Sequence, residues 1–209
     1  MSILVKLAVA GAAATSGIAL YDAVHHGLTG RYSVFSEDSE LPAVAFAGSL
    51  VHGFTYAVLA AVLIRLARSG VRRFSRTVAG LLAVDFGVLA VLFLIVEPVM
   101  FVTDADRAAT PAVLSAAGGA AFLLMFLLSF VLGLSLLRQS ELRPVVVILL
   151  AIVPVLVLTI LAEALGSGFA HPAYAEILVN FGVALLARPA VAGSRDRARS
   201  VLQTASPTS

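Results

Sequence analysis

Apolar residues fall along this chain in long blocks rather than in alternation, covering 3–24, 41–64, 77–102, 111–137, 144–165 and 173–187. Each block comes near the roughly 17–25 residues that a helix needs to cross the hydrocarbon of a bilayer. Polar and charged residues collect in the short stretches between them. The pattern predicts an all-α membrane protein, a bundle of six transmembrane helices, because a backbone in lipid must satisfy its own polar groups. The last block has 15 residues and reaches spanning length only if Arg188 extends its aliphatic stem toward the head groups.

Composition agrees with this pattern. Hydrophobic residues make up 60% of the chain, charged residues 12%, and the mean hydropathy is +1.04. A soluble domain carries about 25% charged residues and could not bury so much apolar surface.

The basic residues set a direction. Lys6, the loop residues Arg65, Arg68, Arg72, Arg73 and Arg76, the pair Arg138 and Arg143, and Arg188, Arg195, Arg197 and Arg199 fall on one side; Arg31 and Arg107 fall on the other. Cytoplasmic loops carry the Lys and Arg excess, so both termini are expected to be cytoplasmic. Lys6 interrupts the apolar region that a cleaved signal peptide would need, so the first span is expected to be retained. Arg outnumbers Lys thirteen to one and Ala, Val and Leu dominate, as suits the plasma membrane of a prokaryote.

Residues 1–190 form one transmembrane domain and 191–209 a disordered basic cytoplasmic tail, too polar to bury surface. The partner of the whole chain is the lipid bilayer. Anionic head groups are expected at Arg65, Arg68, Arg72, Arg73 and Arg76, each worth about 1 kcal/mol, although topology alone accounts for these charges. Small residues at Gly11, Ala12, Ser16, Gly48, Ser49, Gly53, Gly118 and Gly119 suit close helix packing, within the chain, in a homo-oligomer or against another membrane protein. Pro98 and Pro154 are expected to kink their helices.

Several chemistries are excluded. There is no cysteine, hence no disulfide, iron–sulfur cluster or thiol nucleophile. No glycine-rich phosphate loop is present, no second deep axial ligand faces His52 for haem, and Lys6 is the sole lysine. No cofactor, catalytic residue or nucleic-acid partner is assigned.

What remains is a set of acids where acids are costly. Asp85, Glu97, Glu163 and Glu176 lie inside or at the edge of apolar blocks with no basic residue at their depth. His52 and Asp85 both fall within roughly 6 Å of the middle of a ~30 Å core and are expected to pair as a proton relay, or else as a buried pair that sets helix register. Glu176 and Asn180 form one polar stripe at i, i+4, which must face the bundle interior. At the outer rim, Asp22, His25, His26 and His171 are a weak metal-ligand set, without any spaced signature to support it.

Val84, Asp85, Phe86, Gly87 and Val88 resemble Val179, Asn180, Phe181, Gly182 and Val183. The three spans between them would make repeats inverted. Chance similarity between Val- and Gly-rich helices is the simpler reading.

These observations favour a small permease or channel-like protein coupled to protons or a small cation, with His52, Asp85, Glu97, Glu163, Glu176 and Asn180 along the path. A membrane assembly protein without transport activity and an outer-face metal-dependent hydrolase are the alternatives.

Overall fold

The computed structural model describes residues 2–31, 33–35, 41–102 and 112–188. The basic tail at 191–209, the outer-loop acids Glu37, Asp38, Glu40, Asp104 and Asp106, and Arg107 lie outside the described residues.

The chain is all-helical, with no strand among the described residues. The elements are α1 (Ile3–Thr29), α2 (Pro42–Arg68), α3 (Arg73–Val91), a π-helical turn (Leu92–Val96), α4 (Glu97–Val102), α5 (Ala112–Leu136), α6 (Arg143–Leu150), α7 (Ile152–Ala164) and α8 (Ala173–Leu185). Five helices are long and apolar enough to cross a membrane: α1, α2, α3 with its continuation through α4, α5, and the joined α6 and α7. The sixth block forms α8, which at 13 residues is shorter than a full span. We call the end bearing Gly30 and the 165–172 loop the outer end, following the sidedness of the basic residues.

Prolines explain the two interruptions. Pro98 has no N–H to offer the carbonyl of Leu94, and the helix widens into the π turn at Leu92–Val96 just before it. Pro154 cannot bond to Leu150, and the fifth span breaks at Ala151 between α6 and α7. Gly30 closes α1 in the left-handed conformation, φ 66°, with its N–H on His26 O.

The helices form a ring in which α1 packs on α2, α2 on α3, α3 on α5, α5 on α6, and α8 closes the circuit against α6 and α1. Besides its ring neighbours, α8 touches α2, α5 and α7, so a helix of only 13 residues is the most central. Small residues make the close approaches. Gly11 lies against Thr55, Gly53 against Phe93 and Leu94, and both Gly133 and Gly182 against Leu149. Thr15 donates to Thr55 Oγ1 at 2.8 Å in the buried seam between α1 and α2.

The outside of the ring is apolar. Val84, Leu123, Leu127, Val157, Leu158, Ile160 and Leu161 are all exposed. A soluble monomer does not present a continuous apolar belt of this kind, whereas hydrocarbon covers it without penalty.

Candidate functional site

Glu176 is the organising group. It stands in the first turn of α8, it is 6% exposed, and its Oε1 collects three neighbours. Tyr56 donates its hydroxyl at 2.9 Å, Asn180 donates Nδ2 at 3.4 Å from the next turn of α8, and His52 Nε2 stands 3.7 Å away. His52 and Tyr56 come from one face of α2, four residues apart.

The imidazole is oriented from behind. His52 Nδ1 lies 3.0 Å from Gly48 O, one turn back on the same helix. A carbonyl only accepts, so Nδ1 carries a proton and Nε2 is left to face the carboxylate. Without a proton between them, a nitrogen lone pair and a carboxylate oxygen would face each other; one proton makes the contact attractive. Phe93 stacks on the imidazole at 5.7 Å between ring centroids, and Tyr56 packs between Phe93 and Phe86. The imidazole is therefore flanked by aromatic rings.

A cavity of about 230 Å³ reaches this cluster from the outer end. His52, Tyr56 and Glu176 form its floor, Phe35 and Phe122 part of its wall, and Asp22 and His171 its mouth. His171 Nε2 is 3.6 Å from Asp22 Oδ2, and His171 Nδ1 accepts the N–H of Ala173 at the start of α8. Burial holds the His171 imidazole below its ordinary 6.5, against the opposing pull of Asp22, with His26 adding to the lowering and Glu176 opposing it. The 165–172 loop is tied to α1 beside this mouth: His26 Nδ1 contacts Gly168 O at 3.2 Å, and Phe169 lies directly over Gly27.

The structure rearranges the expected pairs. His52 faces Glu176, not Asp85. Gly53 admits Phe93 and Leu94, and this sets the register of α2 on α3. Asp85 precedes Phe93 by eight residues, about 12 Å along the axis, so it lies well inward of the imidazole. Asp85 is 7% exposed, and its Oδ2 has no hydrogen-bond partner among the described residues.

The four acids do not share one cavity. Glu176 lines the outer cavity. Glu97 lines a separate open cleft of about 450 Å³ between the third span and α5, which adjoins the first at Phe93 and Phe122. Glu163 is exposed near the end of α7.

The rim set also divides. Asp22 and His171 meet, His26 stands beside His171 with ring centroids 6.3 Å apart, and His25 turns to Arg31 O at 3.1 Å. Among the described residues no group of three or more His, Asp or Glu is placed to hold a metal ion. The ligand set expected of a hydrolase therefore does not assemble.

Sequence reasoning missed Tyr56, although its i, i+4 spacing from His52 placed it on the same face. It also missed Phe93, for which an aromatic in a membrane helix gives no distinguishing signal. Searches against protein-family models, curated proteins and solved structures return no match.

Proposed function

We propose that this multi-pass membrane protein is a small permease, set in the plasma membrane of a prokaryote with both termini inside, that takes a proton or small cation from its outer cavity onto the His52–Glu176 pair. The observation that carries the reading is the buried Glu176 at the floor of an outward cavity, held by Tyr56 and Asn180 and faced by an imidazole with one free nitrogen. An ionisable pair in the interior of a membrane bundle is costly to maintain and marks ion and proton pathways. Asp22 and His171 stand at the entrance, where a negative side chain favours the approach of a cation. His52 and Glu176 together hold one proton between them, and a second arriving proton or cation displaces it.

The test is flux. The purified protein is reconstituted into liposomes that enclose a pH-sensitive dye, and a potassium diffusion potential is imposed. The wild type is expected to move protons, and Glu176→Gln to abolish the movement while keeping its melting temperature in detergent close to that of the wild type. Flux that survives Glu176→Gln overturns the reading.

A second reading, assembly with another copy or another membrane protein, is supported by Gly118 and Gly119. Gly118 meets only Leu92 and Gly119 meets nothing within contact distance, so this face of α5 stays open beside the larger cleft. In that case Gly118→Leu changes the oligomeric state on native gels, and Glu176→Gln does not.

A further inference from the structure

Two buried oxygens inward of the His52–Glu176 pair lack a hydrogen-bond partner among the described residues: Asp85 Oδ2 on α3 and Ser129 Oγ on α5. The helices that carry them pack against each other. Ser75, Val78, Leu82, Asp85 and Leu89 recur at three- and four-residue spacing along α3 and are all buried; Ala121, Met125, Ser129, Leu132 and Leu136 do the same on α5.

The register of the two helices places these two residues about one turn apart along the α3–α5 contact. At the inner end Ser75 Oγ donates to Ser135 O at 3.1 Å, and toward the outer end Leu92 lies over Gly118. Both contacts belong to one antiparallel alignment, in which Asp85 stands opposite Met125 and Ser129 lies one turn further in. Side chains lean toward the N-terminus of their own helix. That direction is inward for α3 and outward for α5, so the Asp85 carboxyl and the Ser129 hydroxyl lean toward each other across the seam.

Buried polar atoms are almost always satisfied by protein or by water, and leaving them bare is costly. Water fits the chemistry here: its protons serve Asp85 Oδ2, and its oxygen accepts the Ser129 hydroxyl. A third unpartnered oxygen, Asn180 Oδ1, belongs to the amide whose nitrogen holds Glu176, on a helix that packs against α5. It offers the next acceptor on the way in from the outer cavity.

We propose that Asp85 and Ser129 share an internal water and form a second proton-binding station, inward of Glu176. The inference rests on the permease reading for its role in flux, but the hydrated pair itself does not. The step is a simple transfer. Hydronium gives its proton to the Asp85 carboxylate and is left as water, one O–H bond breaking as another forms, and the carboxylic acid then returns the proton to a second water, which becomes hydronium.

The test is infrared difference spectroscopy of the protein in liposomes during a pH titration, in H₂O and in D₂O, with proton flux measured on the same preparations. Carboxyl bands that shift in D₂O are expected, one of them from Asp85. Asp85→Asn removes that band and leaves the remaining carboxyl bands in place, while Ser129→Ala moves the Asp85 band and leaves the others unmoved. Proton flux falls at least about tenfold in Asp85→Asn, equivalent to about 1.4 kcal/mol in barrier. The proposal is overturned if Asp85→Asn removes no exchange-sensitive band, if Ser129→Ala leaves that band unmoved, if sodium shifts it in place of protons, or if flux survives Asp85→Asn. Absence of flux in the wild type, with the Ser129-sensitive band still present, would reject the permease role alone. Ser129→Ala removes a single oxygen and serves as the conservative variant should Asp85→Asn fold poorly.

Discussion

The pentapeptides at 84–88 in α3 and 179–183 in α8 share four of their five residues, yet the bundle treats them in opposite ways. In α3 the valines face outward, Val84 67% exposed and Val88 40%, and Phe86 is fully buried. In α8 Val179 and Val183 are wholly buried and Phe181 is only partly covered. Gly87 has open space where a side chain would be; Gly182 is pressed against Leu149. Asp85 Oδ2 has no partner among the described residues, whereas Asn180 holds Glu176. Position in the ring accounts for the contrast. One face of α3 meets lipid, whereas α8 is packed by five other helices, so the same local pattern is rotated to serve different neighbours. The two stretches therefore do not occupy equivalent environments, as an inverted repeat would require.

The contrast can be broken first at the carboxyls. Glu176→Ala strands the buried Tyr56 hydroxyl and one amide proton of Asn180, each costing about 1–3 kcal/mol, whereas Asp85→Ala removes a carboxyl whose Oδ2 has no partner among the described residues. Melting temperatures in one detergent are expected to fall sharply for the first variant and to change little for the second; equal losses would mean that the two carboxyls are equally embedded.

The glycines give the next largest difference. Gly182→Ala must displace Leu149, an overpacking cost of about 1–3 kcal/mol, and Gly87→Ala is expected to be neutral or to stabilise by about 0.5–1 kcal/mol through helix propensity. Chemical denaturation of the two variants side by side measures it. The valines follow. Val179→Ala removes two buried carbons at about 0.8 kcal/mol each, and Val84→Ala, on the lipid face, leaves stability within error of the wild type. A loss at Val84 equal to that at Val179 would place α3 in an interface.

The smallest effect belongs to the cavity mouth. Burial keeps His171 below 6.5, so on acidification the unfolded imidazole gains its proton before the folded one does. Its contribution is complete above that value and declines as pH falls through 6.5 toward the folded value. Denaturation midpoints compared at about pH 8 and about pH 5 should drop less in His171→Gln than in the wild type. A midpoint slope unchanged by His171→Gln would show that His171 does not titrate with folding.

Much of this was legible in the residues. Block hydropathy marked the helices, Pro98 and Pro154 marked the interruptions, and the i, i+4 spacing of Glu176 and Asn180 marked an inward stripe that the structure makes the centre of the site. The partner of His52 was not legible. Counting residues from helix ends estimates depth, and His52 and Asp85 came out level by that count. The count ignores how far one helix slides along its neighbour, which Gly53 settles by admitting Phe93 and Leu94. Glu163 and Glu97 show the same limit: an acid near a helix end can turn to solvent, a cleft or a cavity without any change in the surrounding pattern.

The sequence by itself determined which segments become apolar helices and which ends carry the basic residues, because hydrophobicity and charge act residue by residue against lipid and water. Only the tertiary structure decided that α8 would be central, that Glu176 would meet His52 and Tyr56, and that Asp85 would lie apart from His52. Those outcomes depend on the rotation and slide of each helix, which follow from how side chains such as Leu149, Phe93 and Leu94 fill the notches left by glycines on neighbouring helices.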